Sequence, residues 1–189
     1  MKNKLKTLVL SLILGATTAM AAESLVGVEG NYGSMSVDRQ DVTTGYTSNE
    51  NVNLMGGGLK IGAQSDEFRI FLSGNYYNST KAQYDYVVTY GGEIDYLINP
   101  SNSFNIFLGL NAGIASIKQT DQGLSRTSSD PYFGASAGVN LHMTKSIDLE
   151  LGGRVLSLDI SNTKNSIKYT YNTIISGYAS IIYKFQMNN

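Results

Sequence analysis

The stretch from Phe104 to Ile114 reads FNIFLGLNAGI. Apolar residues occupy every second position of this stretch, and Asn or Gly fills most of the positions between them. Successive side chains of a strand point to opposite faces, so this period of two predicts a strand with one apolar face. The same alternation recurs in eight runs, at roughly residues 25–37, 52–64, 67–78, 84–98, 104–118, 132–143, 147–158 and 169–185.

The connections between the runs alternate in length. Short links follow the second, fourth and sixth runs, at residues 65–66, 99–103 and 144–146. Longer polar links follow the other runs, at residues 38–51, 79–83, 119–130 and 159–168. Short links at one end and longer links at the other predict an all-β, eight-stranded antiparallel up-and-down barrel, and the chain length of 189 residues fits one such domain.

The N-terminus has the features of a secretory signal peptide. Three lysines lie within the first six residues, an apolar run follows from Leu8 to Leu14, and Ala19-Met20-Ala21 forms an A-x-A cleavage site. The apolar run is too short for a spanning helix, which needs about 20 residues. We therefore predict a cleaved signal peptide at residues 1–21 and a barrel domain at residues 22–189 of an exported protein.

The composition excludes several classes of function. The chain has no cysteine and one histidine, which excludes disulfides, thiolate metal sites and cysteine nucleophiles and argues against a histidine-rich metal site. Its formal net charge of −1 argues against nucleic acid as a partner. We predict no cofactor and no catalytic, cofactor-binding or metal-binding residue.

Three observations indicate that the apolar face of the strands meets lipid rather than a soluble core. The polar face is mostly Gly, Ser and Asn, which suits a narrow lumen better than a water-exposed surface. The runs are long enough for a tilted strand to cross a bilayer, which takes about 9–11 residues. Aromatic residues cluster at both run ends, as interfacial girdles do. The girdle at the short links would contain Phe68, Tyr96, Phe104, Tyr183 and Phe185, and the girdle at the long links Tyr32, Tyr76, Tyr77, Tyr86, Tyr132, Phe133, Tyr169 and Tyr171. A soluble lipocalin-like barrel is the alternative fold.

With these features, the whole mature chain resembles the small eight-stranded outer-membrane β-barrels of Gram-negative bacteria, of the OmpA-barrel, OmpX and opacity-protein (porin-like) type. The resemblance implies a position in the outer membrane, contact with its lipid, and surface-exposed loops. Family members end in an aromatic-x-aromatic strand that the barrel-assembly machinery recognises, and Tyr183-Lys184-Phe185 resembles that signal. Two departures are Ser180, where Gly is usual, and the four residues that follow Phe185.

Nine charged side chains fall on the polar face and are candidates for lumen ion pairs or a gate. They are Glu29, Lys60, Arg69, Glu93, Asp95, Asp148, Glu150, Arg154 and Lys184. Charges in a narrow lumen must be paired or hydrated, and eight strands leave room only for side chains. These charges predict either a salt-bridged plug or a gate, in which one arginine exchanges carboxylate partners and opens a narrow pore for ions or small solutes.

The sequence leaves three functions to compare. The first choice is a barrel with a packed polar lumen and a structural or surface-interaction role, in which loops such as residues 38–46 and 120–126 bind a host or surface ligand. The second is the gated pore. The third, a lipid-modifying barrel enzyme, rests only on His142, for which the sequence offers no matching serine motif.

Overall fold

The computed structural model describes residues 23–81, 84–121, 124–164 and 167–186, all of which belong to one antiparallel barrel or its turns. Its strands are β1 (Glu23–Asp41), β2 (Thr47–Gln64), β3 (Phe68–Ser79), β4 (Tyr84–Ser101), β5 (Phe104–Asp121), β6 (Leu124–His142), β7 (Ile147–Lys164) and β8 (Ile167–Phe185). Each strand pairs with its neighbours in the chain, and β1 pairs with β8 to close the barrel. The eight-stranded up-and-down fold is thus confirmed.

The predicted signal peptide at residues 1–21 lies outside the described residues, so it stays a prediction. No helix among the residues that the structure describes is long and apolar enough to cross a membrane.

The two ends of the barrel differ. We call the end with the connections at residues 65–67, 102–103 and 143–146 the turn end, and the opposite end the loop end. At the loop end, three of the four predicted long links are shorter than predicted, whereas the link predicted at 79–83 lies where β3 ends at Ser79 and β4 begins at Tyr84. The link predicted at 38–51 is a five-residue connection at 42–46, because β1 continues to Asp41 and β2 begins at Thr47. Strands β5 to β8 likewise extend through most of the predicted links.

At the loop end the barrel wall separates into two parts. Pairing of β2 with β3 ends at Leu54 and Ser79, and pairing of β6 with β7 ends at Tyr132 and Leu158. Beyond these points, among the described residues, β7, β8, β1 and β2 stay paired as a four-stranded sheet. On the other side, β5 stays paired with β4 up to Gln119 and Tyr84, and with β6 up to Asp121 and Leu124. We call these parts the four-stranded extension and the ribbon.

The strands reverse their polarity along their length. In the turn-end half, apolar side chains such as Val28, Leu59, Leu110 and Ile181 are exposed on the outer wall, and charged side chains face inward. Towards the loop end, the outward positions become polar and the inward ones apolar. The buried residues there form the inner apolar cluster: Met35, Val37, Val52, Leu54, Tyr77, Val87, Ala115, Ile117, Tyr132, Leu156, Leu158, Ile160, Tyr169, Tyr171 and Ile174.

This reversal corrects two predictions from the sequence. The charged lumen occupies only the turn-end half, because the inward positions beyond it are mostly apolar, with Gln119 as a buried polar residue that accepts from Tyr171. The loop-side aromatic girdle is also smaller than predicted. Tyr32, Tyr76 and Phe133 lie on the outer wall, whereas four of the predicted girdle tyrosines are buried inside the barrel. These four are Tyr77, Tyr132, Tyr169 and Tyr171.

The turn-end half of the barrel has the surface of a membrane protein, and the loop-end part has the surface of a soluble protein. An apolar outer wall around a polar lumen is the arrangement of a membrane barrel, and strands need about 9–11 residues to cross. With 18 or 19 residues in every strand except β3, the strands are long enough to continue beyond the bilayer. In that continuation the apolar side is inside, as in a soluble sheet protein.

Candidate functional site in the charged lumen

Seven of the nine predicted lumen charges form one buried network. Glu29, Lys60, Arg69, Glu93, Asp95, Glu150 and Arg154 all point inward, and each is at most 7% exposed. They come from β1, β2, β3, β4 and β7, at positions that the strand alternation assigns to the inner face. The barrel thus brings together side chains that lie up to 125 residues apart in the chain.

Glu150 and Arg69 form the centre of this network. Glu150 accepts from Lys60, with 2.5 Å between Oε1 and Nζ, and its other oxygen lies 2.6 Å from an Arg69 guanidinium nitrogen. Arg69 also donates through Nε to Asp95 Oδ2 at 2.8 Å. Because Glu150 lies on β7 and Asp95 on β4, the Arg69 side chain joins opposite walls of the barrel. This arrangement places fixed charge across the middle of the lumen.

Arg154 links two further carboxylates. Its two terminal nitrogens donate to Glu29 Oε1 and Oε2 at 3.0 and 3.3 Å, and one of them also reaches Glu93 Oε2 at 3.4 Å. Glu29 lies 3.6 Å from Lys60 Nζ, which connects this pair to the Glu150 centre. Every charge of the network therefore has an opposite charge in contact, as burial at this depth requires.

Aromatic rings pack against the charged network, and they were not among the site residues predicted from the sequence. The Arg154 guanidinium carbon lies 4.5 Å from the ring centre of Tyr178. The Arg69 guanidinium carbon lies 4.8 Å from the ring of Phe71 and 5.0 Å from that of Phe107. Such contacts stabilise a cation over the ring face. The signal that could have identified these three residues is a large aromatic side chain at a position of the polar face.

The other two predicted lumen charges lie apart, at the turn end. Asp148 accepts from Asn140 at 2.8 Å and contacts Lys184 Nζ at 2.9 Å and His142 Nδ1 at 3.0 Å. The His142 side chain is thus held by a carboxylate, with Asp148 rather than a serine hydroxyl as its partner among the described residues. Within the same described part of the chain, no group of His, Asp and Glu side chains has the arrangement of a metal site.

Comparison with known proteins assigns this barrel to a family. The sequence profile described as "Outer membrane protein beta-barrel domain" matches residues 7–179. The chain belongs to the outer membrane β-barrel domain family. It is therefore an outer-membrane protein, and the lipocalin-like alternative is wrong. No curated protein matches the sequence.

Solved structures show that the fold of this family member is shared. Neisserial surface protein A superposes with a TM-score of 0.64 at 16% identity, covering 87% of this chain and 97% of the other. The N-terminal β-barrel domain of Pseudomonas aeruginosa OprF gives 0.56 at 12% identity, with coverages of 85% and 97%. Ail, the attachment invasion locus protein of Yersinia pestis, gives 0.51 at 16% identity, with coverages of 88% and 100%. At these identities the similarity shows the fold alone.

The predicted assembly signal lies on the outer wall of the family barrel. Tyr183 and Phe185 are both exposed near the turn end of β8, and their ring centres are 6.0 Å apart in a stacked arrangement. Phe68 and Tyr96, whose ring centres are 5.4 Å apart, form a second outward aromatic pair at the same end. These rings occupy the positions of a turn-side girdle. Recognition by the assembly machinery stays a prediction.

Proposed function

We propose that this protein is a barrel closed to solutes, with a structural or surface-interaction role that its extracellular part performs. The observation that carries the proposal is the pair of layers inside the barrel. A network of seven paired charges crosses the turn-end half, and the inner apolar cluster fills the loop-end half. At the turn end the chain reverses close to the lipid-facing wall, whereas at the loop end most strands continue well beyond it. In barrels of this kind the short excursions face the periplasm and the long ones the exterior, so the loop end faces the exterior.

The two layers oppose the passage of ions by different physical means. In the charged layer, an ion has to separate buried pairs such as Arg69 and Asp95, and leaving one buried partner unpaired costs about 3–5 kcal/mol. In the inner apolar cluster, the ion meets side chains that cannot replace its hydration shell, as in a hydrophobic constriction. In this proposal the two layers lie in series, and each opposes the passage of ions.

The extracellular part supplies the contact surface in this proposal. It consists of the four-stranded extension, the ribbon and the connection at residues 42–46, where Val42 and Tyr46 are 59% and 72% exposed. A rigid sheet that holds exposed side chains suits recognition of a host or surface ligand. The proposal has three further parts. Residues 1–21 are removed during export, the barrel-assembly machinery recognises Tyr183 and Phe185, and outer-membrane lipid surrounds the wall. We assign no catalytic residue.

A narrow gated pore is the second candidate, and one observation favours it. Arg154 contacts both Glu29 and Glu93, so its guanidinium has two carboxylate partners between which it can move. A gate of this kind would open the charged layer. The inner apolar cluster would still have to part before ions could pass.

Single-channel recording of the refolded mature protein in a planar bilayer tests both candidates. The preparation is first shown to be folded by its heat-dependent gel mobility, and a large porin in the same bilayer serves as the positive control. The closed barrel predicts no conductance steps from the wild type. Reproducible steps that change in Arg154→Ala would overturn the closed barrel and support the gate.

A further inference from the structure

The outward side of the four-stranded extension carries polar side chains on all four strands, and we call it the polar face. Register across the four strands aligns its residues in three rows. The rows are Ser157, Thr173, Ser36 and Asn51; Ser161, Thr170, Asp38 and Asn49; and Thr163, Lys168, Gln40 and Thr47. Neighbouring strands lie about 4.8 Å apart and rows about 7 Å apart, so the face extends about 14 Å in each direction.

Exposure to water alone does not account for this composition. Ten of the twelve residues carry a hydroxyl or an amide, and only Asp38 and Lys168 are charged. A water-exposed surface usually has about 25–35% charged residues of mixed sign. Asparagine is also depleted in strands, yet Asn49, Asn51 and Asn53 occupy three successive outward positions of β2. The face therefore combines low charge with a residue type that strands disfavour.

The polar face continues the lipid-facing wall of the same strands. Towards the turn end, the next outward residue after Ser157 on β7 is Val155, and the next after Thr173 on β8 is Ile175. Both are exposed apolar side chains of the outer wall. On these two strands the lowest row thus starts where the apolar wall ends, and on β1 and β2 the residues Ser34 and Asn53 add one further polar position before the wall begins. In an outer-membrane protein, that level is occupied by the headgroups of the outer leaflet.

We propose that the polar face binds the core sugars of the glycolipid in the surrounding outer leaflet, beyond the phosphorylated disaccharide of its lipid A. Hydroxyl and amide side chains both donate and accept hydrogen bonds, which matches the hydroxyl groups of a saccharide. Phosphate groups, by contrast, are bound by clusters of Arg and Lys, and this face has one lysine and one aspartate. The assignment depends on the outer-membrane position of the barrel and is independent of whether the lumen conducts.

Amide hydrogen exchange of the mature barrel in three kinds of nanodisc tests the proposal. The discs contain phosphatidylcholine alone, phosphatidylcholine with lipid A, or phosphatidylcholine with a lipopolysaccharide that carries core sugars. The expected result is several-fold slower exchange across residues 47–53 and 168–173 in the third disc only. Exchange that is equal in all three discs, or that slows as much with lipid A as with core sugars, would overturn it.

Two variants separate specific binding from a general effect of the lipid. The triple variant S36A/N51A/T173V removes polar groups from the lowest row and keeps residues that strands tolerate. Its exchange is expected to be the same in the second and third discs. Thr43→Val makes the same chemical change in the connection above the face, and it is expected to keep the full protection. If the triple variant loses its heat-dependent mobility, Asn51→Ala alone replaces it. Protection by free core oligosaccharide in discs of phosphatidylcholine alone would overturn the membrane glycolipid as the source.

Discussion

Leu54 and Met55 are neighbours in β2, yet their side chains lie in opposite environments. Leu54 is fully buried inside the barrel, whereas Met55 is 63% exposed on the outer wall. Below this level the apolar residues of β2 point outward, and above it they point inward. The same step occurs at Tyr76-Tyr77, Tyr132-Phe133, Val155-Leu156 and Ile174-Ile175. These pairs of adjacent apolar residues mark the level at which the barrel leaves the membrane.

Removal of the Arg154 charge should strongly destabilise the barrel. In Arg154→Met, Glu93 loses its guanidinium contact, and Glu29 keeps Lys60 as a cationic contact beside hydrogen bonds from Asn31 and Ser180. Leaving a buried charge without its partner costs about 3–5 kcal/mol, so the free energy of unfolding should fall by about that amount. Urea unfolding of the variant in lipid vesicles measures the change.

A double-mutant cycle separates the ion pairs from the packing of the long side chain. The variant Arg154→Met with Glu93→Gln removes one of the orphaned charges and should recover part of the lost stability. If the double variant loses as much stability as the two single variants together, Arg154 and Glu93 do not interact, which would contradict the network.

The inner apolar cluster should contribute like an ordinary protein core. Leu54→Ala leaves a cavity at a fully buried site, and such changes cost about 2–5 kcal/mol. Asn53→Ala, the adjacent outward substitution, leaves no cavity and should change the free energy of unfolding by less than about 0.5 kcal/mol. Equal effects of the two variants in urea unfolding would mean that the cluster is not packed.

Close approach of β2 and β3 should make Gly56 irreplaceable. A Cβ added at Gly56 would lie 1.9 Å from the backbone oxygen of Tyr76, which cannot move without its strand. Gly56→Ala should therefore cost about 1–3 kcal/mol. A Cβ at Gly30, on the outer wall of β1, meets nothing within 4 Å, so Gly30→Ala should be tolerated. Thermal unfolding of both variants makes the comparison, and tolerance of Gly56→Ala would contradict the register.

The connection between β1 and β2 should lose stability in acid. Backbone N–H groups of Thr44 and Thr43 donate to the Asp41 carboxylate at 3.1 and 2.8 Å, and these bonds lower the pKa of Asp41 below its ordinary value of 3.8. The carboxylate therefore stabilises the folded connection above that value, and this contribution is lost as the pH falls through the lowered pKa. NMR titration of Asp41 measures it. A pKa at or above 3.8, or the same acid response in Asp41→Asn, would contradict the geometry.

Period-two alternation was enough to predict the number and order of the strands. It also predicted the inward direction of the nine lumen charges. That signal is reliable because it depends only on the geometry of extended backbone. Residues such as Glu29 and Arg154 alternate with apolar neighbours, so their face is fixed even though they lie 125 residues apart along the chain. Which carboxylate each cation contacts depends on strand register, which the alternation does not specify.

The continuation of the strands at the loop end was missed for a physical reason. Ser, Thr and Asn are frequent in residues 38–51 and are typical of connections. Between Val37 and Val52 the apolar alternation is weak, so the composition predicted a connection there. At the reversal, two apolar residues such as Val155 and Leu156 stand side by side, which interrupts the period of two and looks like the end of a strand. A search for a change in the parity of the apolar positions would have found both the reversal and the inward direction of Tyr169 and Tyr171.

The most direct test of the reversal is a cysteine accessibility profile along β2 in proteoliposomes. Because the chain has no cysteine, each single substitution gives an unambiguous site for a membrane-impermeant thiol reagent. The account predicts rapid labelling at positions 49, 51 and 53, protection by lipid at 55, 59 and 61, and protection by packing at 52 and 54. Labelling that continues through 55, 59 and 61 would contradict the lipid-facing wall, and labelling at 54 would contradict the closed interior.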